Sequence, residues 1–334
     1  MGQQIEQWVG VDIGGSFHEA CILDSEGNVT RRERVNKNPE DHRRFVKTLK
    51  RSRCRVTMEA TGIYFLDLAM DLTNAGIEVD VVNPRQIHHF AKVMNKRSST
   101  DTISAQLIAE YGKRMDFRSW TPPKRDWYEL RSLARQINRL TGQRTKASNR
   151  LHALQAAANG SLFVIRDEKQ SIKELGRRID RLQKQALKLI ARDRDLRRML
   201  ANITTACGFA ERSAIAIMGE LLLLPRTLNA KQCSAHAGLD VRFKKSGTSV
   251  EFKPKLSKVG NAYLRSALYL PVLTAVKHDP IAKAHYLQLQ SRGKPKIKAI
   301  GAMMRKYLTG IWSVIRQDEP FDTSKLFACS PAAK

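Results

Sequence analysis

Residues 8–13, Trp-Val-Gly-Val-Asp-Ile, form an apolar run broken only by a glycine and an aspartate, the pattern of a buried strand. Shorter runs at 20–23 and 56–58 predict two more strands, and Gly14-Gly15 marks a tight turn after the first. Helical spacing at 64–75 and 102–111 brackets a further apolar run, 77–82, which stops at Asn83-Pro84. Strands alternating with helices predict an α/β first domain.

From Leu130 the period changes to seven. Leu130, Ile137, Leu151 and Ala158 form one row and Leu133, Leu140, Ala147 and Leu154 the other, with Arg144 the one charged interruption. After Asn159-Gly160 a second seam follows, with Ile172, Ile179, Ala186 and Leu200 beside Leu175, Leu182, Leu189 and Leu196, broken at Asp193. Two long heptad helices predict a coiled-coil middle, closed either as an antiparallel hairpin or against another subunit. Beyond Asn202 the spacing predicts helices at 213–224, 232–238, 261–276 and 297–315, with a turn-rich stretch at 244–259. The expected division is therefore 1–122, 123–200 and 201–334: an α/β domain, a helical coiled-coil middle and a mainly helical C-terminal domain.

Charge narrows the function. The 334 residues carry a formal net charge of +27, and the excess is uneven: about +2 over residues 1–120, +12 over 121–200 and +13 over 201–334. A polyanionic partner follows. No apolar run reaches membrane-spanning length, so nucleic acid is favoured over a lipid surface and no membrane partner is expected. The five cysteines lack CxxC or zinc spacing, and no signal-like segment precedes residue 8, so a cytoplasmic protein associated with the nucleoid is expected. The basic middle either solvates its own outer faces or lies along a phosphate backbone, and its scarcity of acids favours the backbone.

Two acids stand where apolar residues belong. Asp12 lies within the first strand and Glu59 ends the strand Val56-Thr57-Met58-Glu59. Buried carboxylates are costly unless they meet a cation or donors, which suggests a shared ion with Asp101 at the start of a helix. Magnesium, a hard cation preferring oxygen ligands, suits that set and suits phosphodiester chemistry. Acids beside Gly-Gly and Ala-Thr-Gly also serve as turn residues and helix caps.

Further pieces complete a pattern: Gly10-Val11-Asp12, Met58-Glu59-Ala60-Thr61-Gly62-Ile63-Tyr64, Val82-Asn83-Pro84, Thr100-Asp101-Thr102, Ala237-Gly238-Leu239, Ser246-Gly247, Ser257-Lys258 with Gly260, Leu264-Arg265, and Gly301 through Lys306. In number and order they resemble the IS110 family of insertion-sequence transposases, relatives of the Piv DNA invertases. The resemblance implies a RuvC-like ribonuclease H fold with four acids, then a coiled coil, then a transposase domain with a nucleophilic serine. Three acids correspond to Asp12, Glu59 and Asp101. The fourth is expected three residues after Asp101, where this chain has Ser104. That departure fits altered metal use, an inactivated member or an engineered substitution; Glu110 lies on the opposite side of the helix.

The serine corresponds to Ser246 in Lys244-Lys245-Ser246-Gly247, which on its own reads as a surface turn. The resemblance implies attack by Ser246 on a DNA phosphodiester, a covalent phosphoserine, and religation after strand exchange. It also implies a composite site, with the acids of one subunit meeting the serine of another as dimers assemble into a tetramer. A structured bridge RNA would pair with donor and target DNA. Phosphate contacts are expected from Lys244, Lys245, Lys258, Arg265, Arg305 and Lys306, and from Lys294, Lys296 and Lys298 in a basic loop; solvated surface charge is the alternative for each. Competing readings are a RuvC-like metal-dependent junction nuclease and a catalytically weakened nucleic-acid-binding member.

Overall fold

A computed structural model describes residues 5–95, 100–157, 159–246 and 250–327, without the side chains of 243–253. The chain divides into two compact units, Met1–Pro122 and Pro123–Lys334.

The first unit is mixed α/β. In chain order it contains β1 (Gln7–Ile13), β2 (Phe17–Leu23), β3 (Val29–Asn36), α1 (Pro39–Leu49), β4 (Cys54–Glu59), α2 (Leu66–Asn74), β5 (Glu78–Val82), α3 (Pro84–Val93) and α4 (Asp101–Arg114). The sheet order is β3-β2-β1-β4-β5. β1, β2 and β3 are antiparallel neighbours, whereas β4 runs parallel to β1 and β5 parallel to β4.

Side chains alternate across a pleated sheet, so each strand divides its residues between two faces. Val9, Val11, Ile13, Ala20, Ile22, Val56, Met58 and Val79 pack on Phe45 and Leu49 of α1 and Leu68, Ala69 and Leu72 of α2. The opposite face is thin where Cys21, Leu23 and Trp8 meet Ala105 and Ala109 of α4. Gly10 makes that approach possible: a Cβ there would stand 2.2 Å from the backbone oxygen of Ala105 and 2.2 Å from the nitrogen of Ala109.

The sequence pattern did not anticipate β3, α1 or α3. β3 reads Val-Thr-Arg-Arg-Glu-Arg-Val-Asn and is an edge strand guarded by charge. α1 and α3 each begin at an asparagine cap, Asn38 and Asn83, followed by proline at the first helical position.

The second unit is mainly helical, with α5 (Arg125–Ala156), α6 (Leu162–Arg192), α7 (Arg194–Thr204), α8 (Glu211–Leu221), α9 (Ala230–His236), β6 (Val241–Ser246), β7 (Val250–Leu256), α10 (Ala262–His278), α11 (Pro280–Ser291), α12 (Lys296–Gln317) and α13 (Thr323–Phe327). α5 and α6 pack together as a hairpin. Ile137, Leu140 and Ile179 fill the middle of their contact with Leu175 and Leu182 beside them, and Arg150 grips Glu168 at 2.6 and 3.1 Å farther out. Ala158 of the expected seam lies outside the described residues.

Three details differ from expectation. The second heptad run is two helices, because the Asp193 carboxylate accepts from the amides of Asp195 and Leu196 and starts α7 there. The stretch 244–259, expected as turns, contains most of the antiparallel pair β6–β7. Lys296 and Lys298 are in the first turn of α12, leaving Lys294 in the loop. The base of the hairpin also shares one core with the C-terminal helices: Leu130, Ala134, Ala186, Leu189 and Ile190 lie in the cluster that holds Ile217, Met218, Leu268 and Trp312. No helix among the described residues is long and apolar enough to cross a membrane.

Candidate active site

The register of β1 and β4 positions the acids. Gly10 pairs with Thr57 and Val11 with Met58, so the next step along both strands brings Asp12 level with Glu59, on the α4 face. Across β1, Asp12 is paired with Glu19 of β2. Asp101 is the first residue of α4, whose N-cap Thr100 accepts from the Ile103 amide at 3.3 Å. The same helix rests on Gly10 through Ala105 and Ala109, so its start is directed toward the end of β1 where Asp12 stands.

Electrostatics connect the three. Burial first, then the Glu59 carboxylate and then that of Asp101, push the Asp12 carboxyl up to about 6, and the Ile13 backbone donor offsets only part of this. Burial raises the Glu59 carboxyl as well, against the Thr61 hydroxyl, which donates to Oε1 at 3.4 Å. Among the described residues, no three His, Cys, Asp or Glu side chains are grouped tightly enough to hold a metal ion as they stand. The two findings are compatible, since Coulombic coupling extends well past coordination distance. The donors are all hard oxygens, which suit Mg²⁺ by type.

Ser104 is half-buried one turn after Asp101. Glu110 is tied to Arg114 at 2.9 Å and is not part of the cluster. His88 and His89 are exposed on α3. Glu19 is the acid that sequence reasoning missed. The register of β1 and β2 puts it across from Asp12, where Arg34 holds it at 2.9 Å, and no local sequence signal shows that pairing.

In the second unit Ser246 is the last residue of β6, paired with Val250. Its side chain, and those of Lys244 and Lys245, lie outside the described residues, as does Gly247. What the structure explains is how the strand pair is anchored. Ser257 N donates to Asp240 O at 2.9 Å, Lys258 N to Gly238 O at 3.1 Å and Asn261 N to His236 O at 2.8 Å. Gly260, at φ 155°, is so close that a Cβ would meet His236 O at 2.3 Å. Arg265 spends one guanidinium nitrogen on Ala237 O at 2.9 Å. The separated sequence pieces Ala237-Gly238-Leu239, Ser257-Lys258-x-Gly260 and Leu264-Arg265 thus form one knot beneath the strand pair.

Beneath that knot lies a buried ion pair. Glu220 of α8, 4% exposed, takes Arg135 Nε at 2.7 Å and Nη2 at 2.9 Å, and Asn261 Nδ2 at 2.6 Å. Lys258 is exposed in the left-handed region at φ 51°. Lys294, Lys296, Lys298 and Arg305 are exposed. Lys306 instead donates to Leu326 O at 3.3 Å and covers the Phe327 ring.

Known proteins match in the same two places. The family model for DEDD transposases of the IS110 type matches residues 9–158, and the transposase model of the IS116/IS110/IS902 family matches 200–287. The pilin gene-inverting proteins of Moraxella bovis and Moraxella lacunata are each 27% identical over 321 residues, spanning 94% of this chain and 97% of theirs. The transposase of insertion sequence IS1328 from Yersinia enterocolitica is 29% identical over 147 residues, 43% of this chain and 41% of that protein. Among solved structures, Thermus thermophilus RuvC with a Holliday junction substrate covers 31% of this chain and 90% of its own at 17% identity, with a TM-score of 0.24, too low to decide anything. The class these matches define is a DNA-rearranging enzyme, a transposase or invertase. Within that class, the chain belongs to the IS110 family of transposases.

Proposed function

We propose that this chain recombines DNA by cutting and rejoining strands through Ser246, assisted by the acids Asp12, Glu59 and Asp101 on a ribonuclease H-type domain. The observation that carries the reading is the in-register placement of Asp12 and Glu59 on the sheet face that α4 covers, with Asp101 at the start of that helix. The five-stranded sheet, three antiparallel strands extended by two parallel ones with helices on both faces, supports the RuvC-like assignment.

Asp12, Glu59 and Asp101 would hold Mg²⁺, which when bound neutralises phosphate charge. The chain's own residues do the rest. An ionised carboxylate of the cluster would accept the proton that Ser246 Oγ releases as it attacks phosphorus. The same carboxyl would return that proton to the leaving 3′ or 5′ oxygen, the phosphoserine ester conserves the bond energy, and the incoming strand's hydroxyl reverses the attack. Acids and serine would meet between subunits of a tetramer built from dimers. Guidance by a structured bridge RNA pairing with donor and target DNA would leave sequence choice to base pairing, and the charge of the second unit suits binding two nucleic acids.

A second reading has its own support. Ser104 stands where the family resemblance expects a fourth acid, which favours a weakened nucleic-acid-binding member. One experiment separates the two: donor–target recombination in cells by the natural chain, Ser104→Asp, Asp12→Asn and Ser246→Ala. Recombination by the natural chain, lost by at least about a thousandfold in the last two, supports the proposal. Activity only in Ser104→Asp supports the weakened member, and undiminished activity in Ser246→Ala defeats the proposal.

A further inference from the structure

The segment Met58-Glu59-Ala60-Thr61-Gly62-Ile63-Tyr64 contributes Glu59 to the acidic cluster, and its second half is so far unused. After Glu59 the chain turns tightly: Tyr64 N donates to Thr61 O at 3.2 Å and Gly62 is left-handed at φ 60°. Phe65 then anchors the turn, buried edge-on against Trp120 at 6.2 Å. Between these fixed points Ile63 and Tyr64 are pushed outward, 61% and 52% exposed. Both side chains are therefore open to a ligand a few residues along the chain from Glu59.

Tyr64 is not alone. The Lys37 ammonium lies 3.8 Å from its ring centroid, and among the described residues Lys37 has no carboxylate partner. Sheet register places this pair: Ile13 is level with His18 and Phe17 with Asn36, so Lys37 follows β3 at the same edge of the sheet as Asp12 and Glu59. A second cation, Arg34, covers Phe17 at 3.8 Å on that edge, although Glu19 already neutralises it. An exposed ring with an uncommitted cation beside it matches a ligand that offers a flat π face and an anionic chain, which is a nucleotide strand.

We propose that Tyr64, braced by Lys37, is a stacking step for an unpaired base of the DNA strand that enters the acidic cluster; this rests on the DNA-cutting reading above. The ring takes the base, Lys37 takes a neighbouring phosphate, and the strand is fixed in register so that the next phosphate lies over Asp12 and Glu59. Tyr64 and Lys37 are positioning residues and touch no reacting atom.

The test uses the full chain and a short oligodeoxynucleotide bearing one 5-iododeoxyuridine, which on irradiation crosslinks to an aromatic ring stacked on it. The expected adduct maps to Tyr64 by peptide mass spectrometry. Tyr64→Phe keeps the adduct, whereas Tyr64→Leu, conservative in bulk at an exposed position, loses it and binds about tenfold more weakly. Lys37→Gln keeps the adduct and lowers the salt dependence of binding. Unchanged affinity and an unchanged crosslink in Tyr64→Leu overturn the proposal. Asp12→Asn separates it from the parent reading: that variant keeps the Tyr64 adduct while losing strand cleavage, and an oligonucleotide that does not bind the natural chain at all removes both.

Discussion

Asp12 is held in a place that suits a ligand-binding site and not a folded protein's own stability. Its carboxyl, ordinarily near 3.8, is raised to about 6 by burial and by the Glu59 and Asp101 carboxylates. Below pH 4 the folded and unfolded chains both carry the proton. As pH rises from about 4 to about 6 the unfolded chain gives it up first, so the folded state loses stability through that window and does not recover it above. Without divalent metal, Asp12→Asn should therefore stabilise the fold at pH 7 by about 1–2 kcal/mol, a figure reduced for solvent screening of a partly exposed group. Thermal unfolding at pH 7 and pH 4 checks it: the gain should disappear at the lower pH, and a variant less stable than the natural chain at pH 7 contradicts the acidic-cluster description. Asp12 was legible in the sequence because an aspartate broke an apolar run. Glu19 and Lys37 were not, since nothing local reveals which strand will pair with which.

Among elements, the long helices were legible and the charged strands were not. Heptad spacing over α5 and α6 survives in Ile137, Leu140 and Ile179, because a repeated apolar stripe reports its own burial. The strands β3 and β6 are rich in Arg and Lys, and their pairing depends on partners the local pattern does not show. The most consequential hidden feature joins three helical elements: Arg135 of α5, Glu220 of α8 and Asn261 at the start of α10. Burial alone would raise the Glu220 carboxyl, but the Arg135 and Asn261 donors and the Arg131 charge hold it below its usual value. Its contribution is therefore present above the unfolded pKa of about 4.5 and is lost as pH falls below that. Replacing only one partner leaves a buried charge unmatched. Glu220→Gln should cost about 3 kcal/mol, read as a lowered urea midpoint at unchanged slope, and the loosened knot should reduce Ser246 chemistry more than DNA affinity. A midpoint equal to that of the natural chain contradicts this role for the ion pair.

At the scale of the molecule, the acidic cluster and the basic excess are separated along the chain. The unit with the carboxylates is nearly neutral, whereas Pro123–Lys334 holds almost all of the +27. Lys296 and Lys298 sit at the N-terminus of α12, where the helix dipole disfavours cations and an external phosphate would relieve both. DNA affinity should accordingly fall by about a thousandfold between 50 and 200 mM salt, as counterion release at six or more phosphates requires. Fluorescence anisotropy across that range measures it, and a nearly flat response contradicts a backbone-dominated interface. This charge division was visible in the sequence, because it needs only the order of charged residues along the chain. The most direct measurement is to stop recombination with a suicide DNA substrate, digest the protein and find the peptide that carries the nucleotide. Phosphodiester-linked DNA on Ser246, absent when Asp12 is replaced by Asn, is the predicted result; cleaved DNA with no covalent protein link, or a link to another residue, contradicts it.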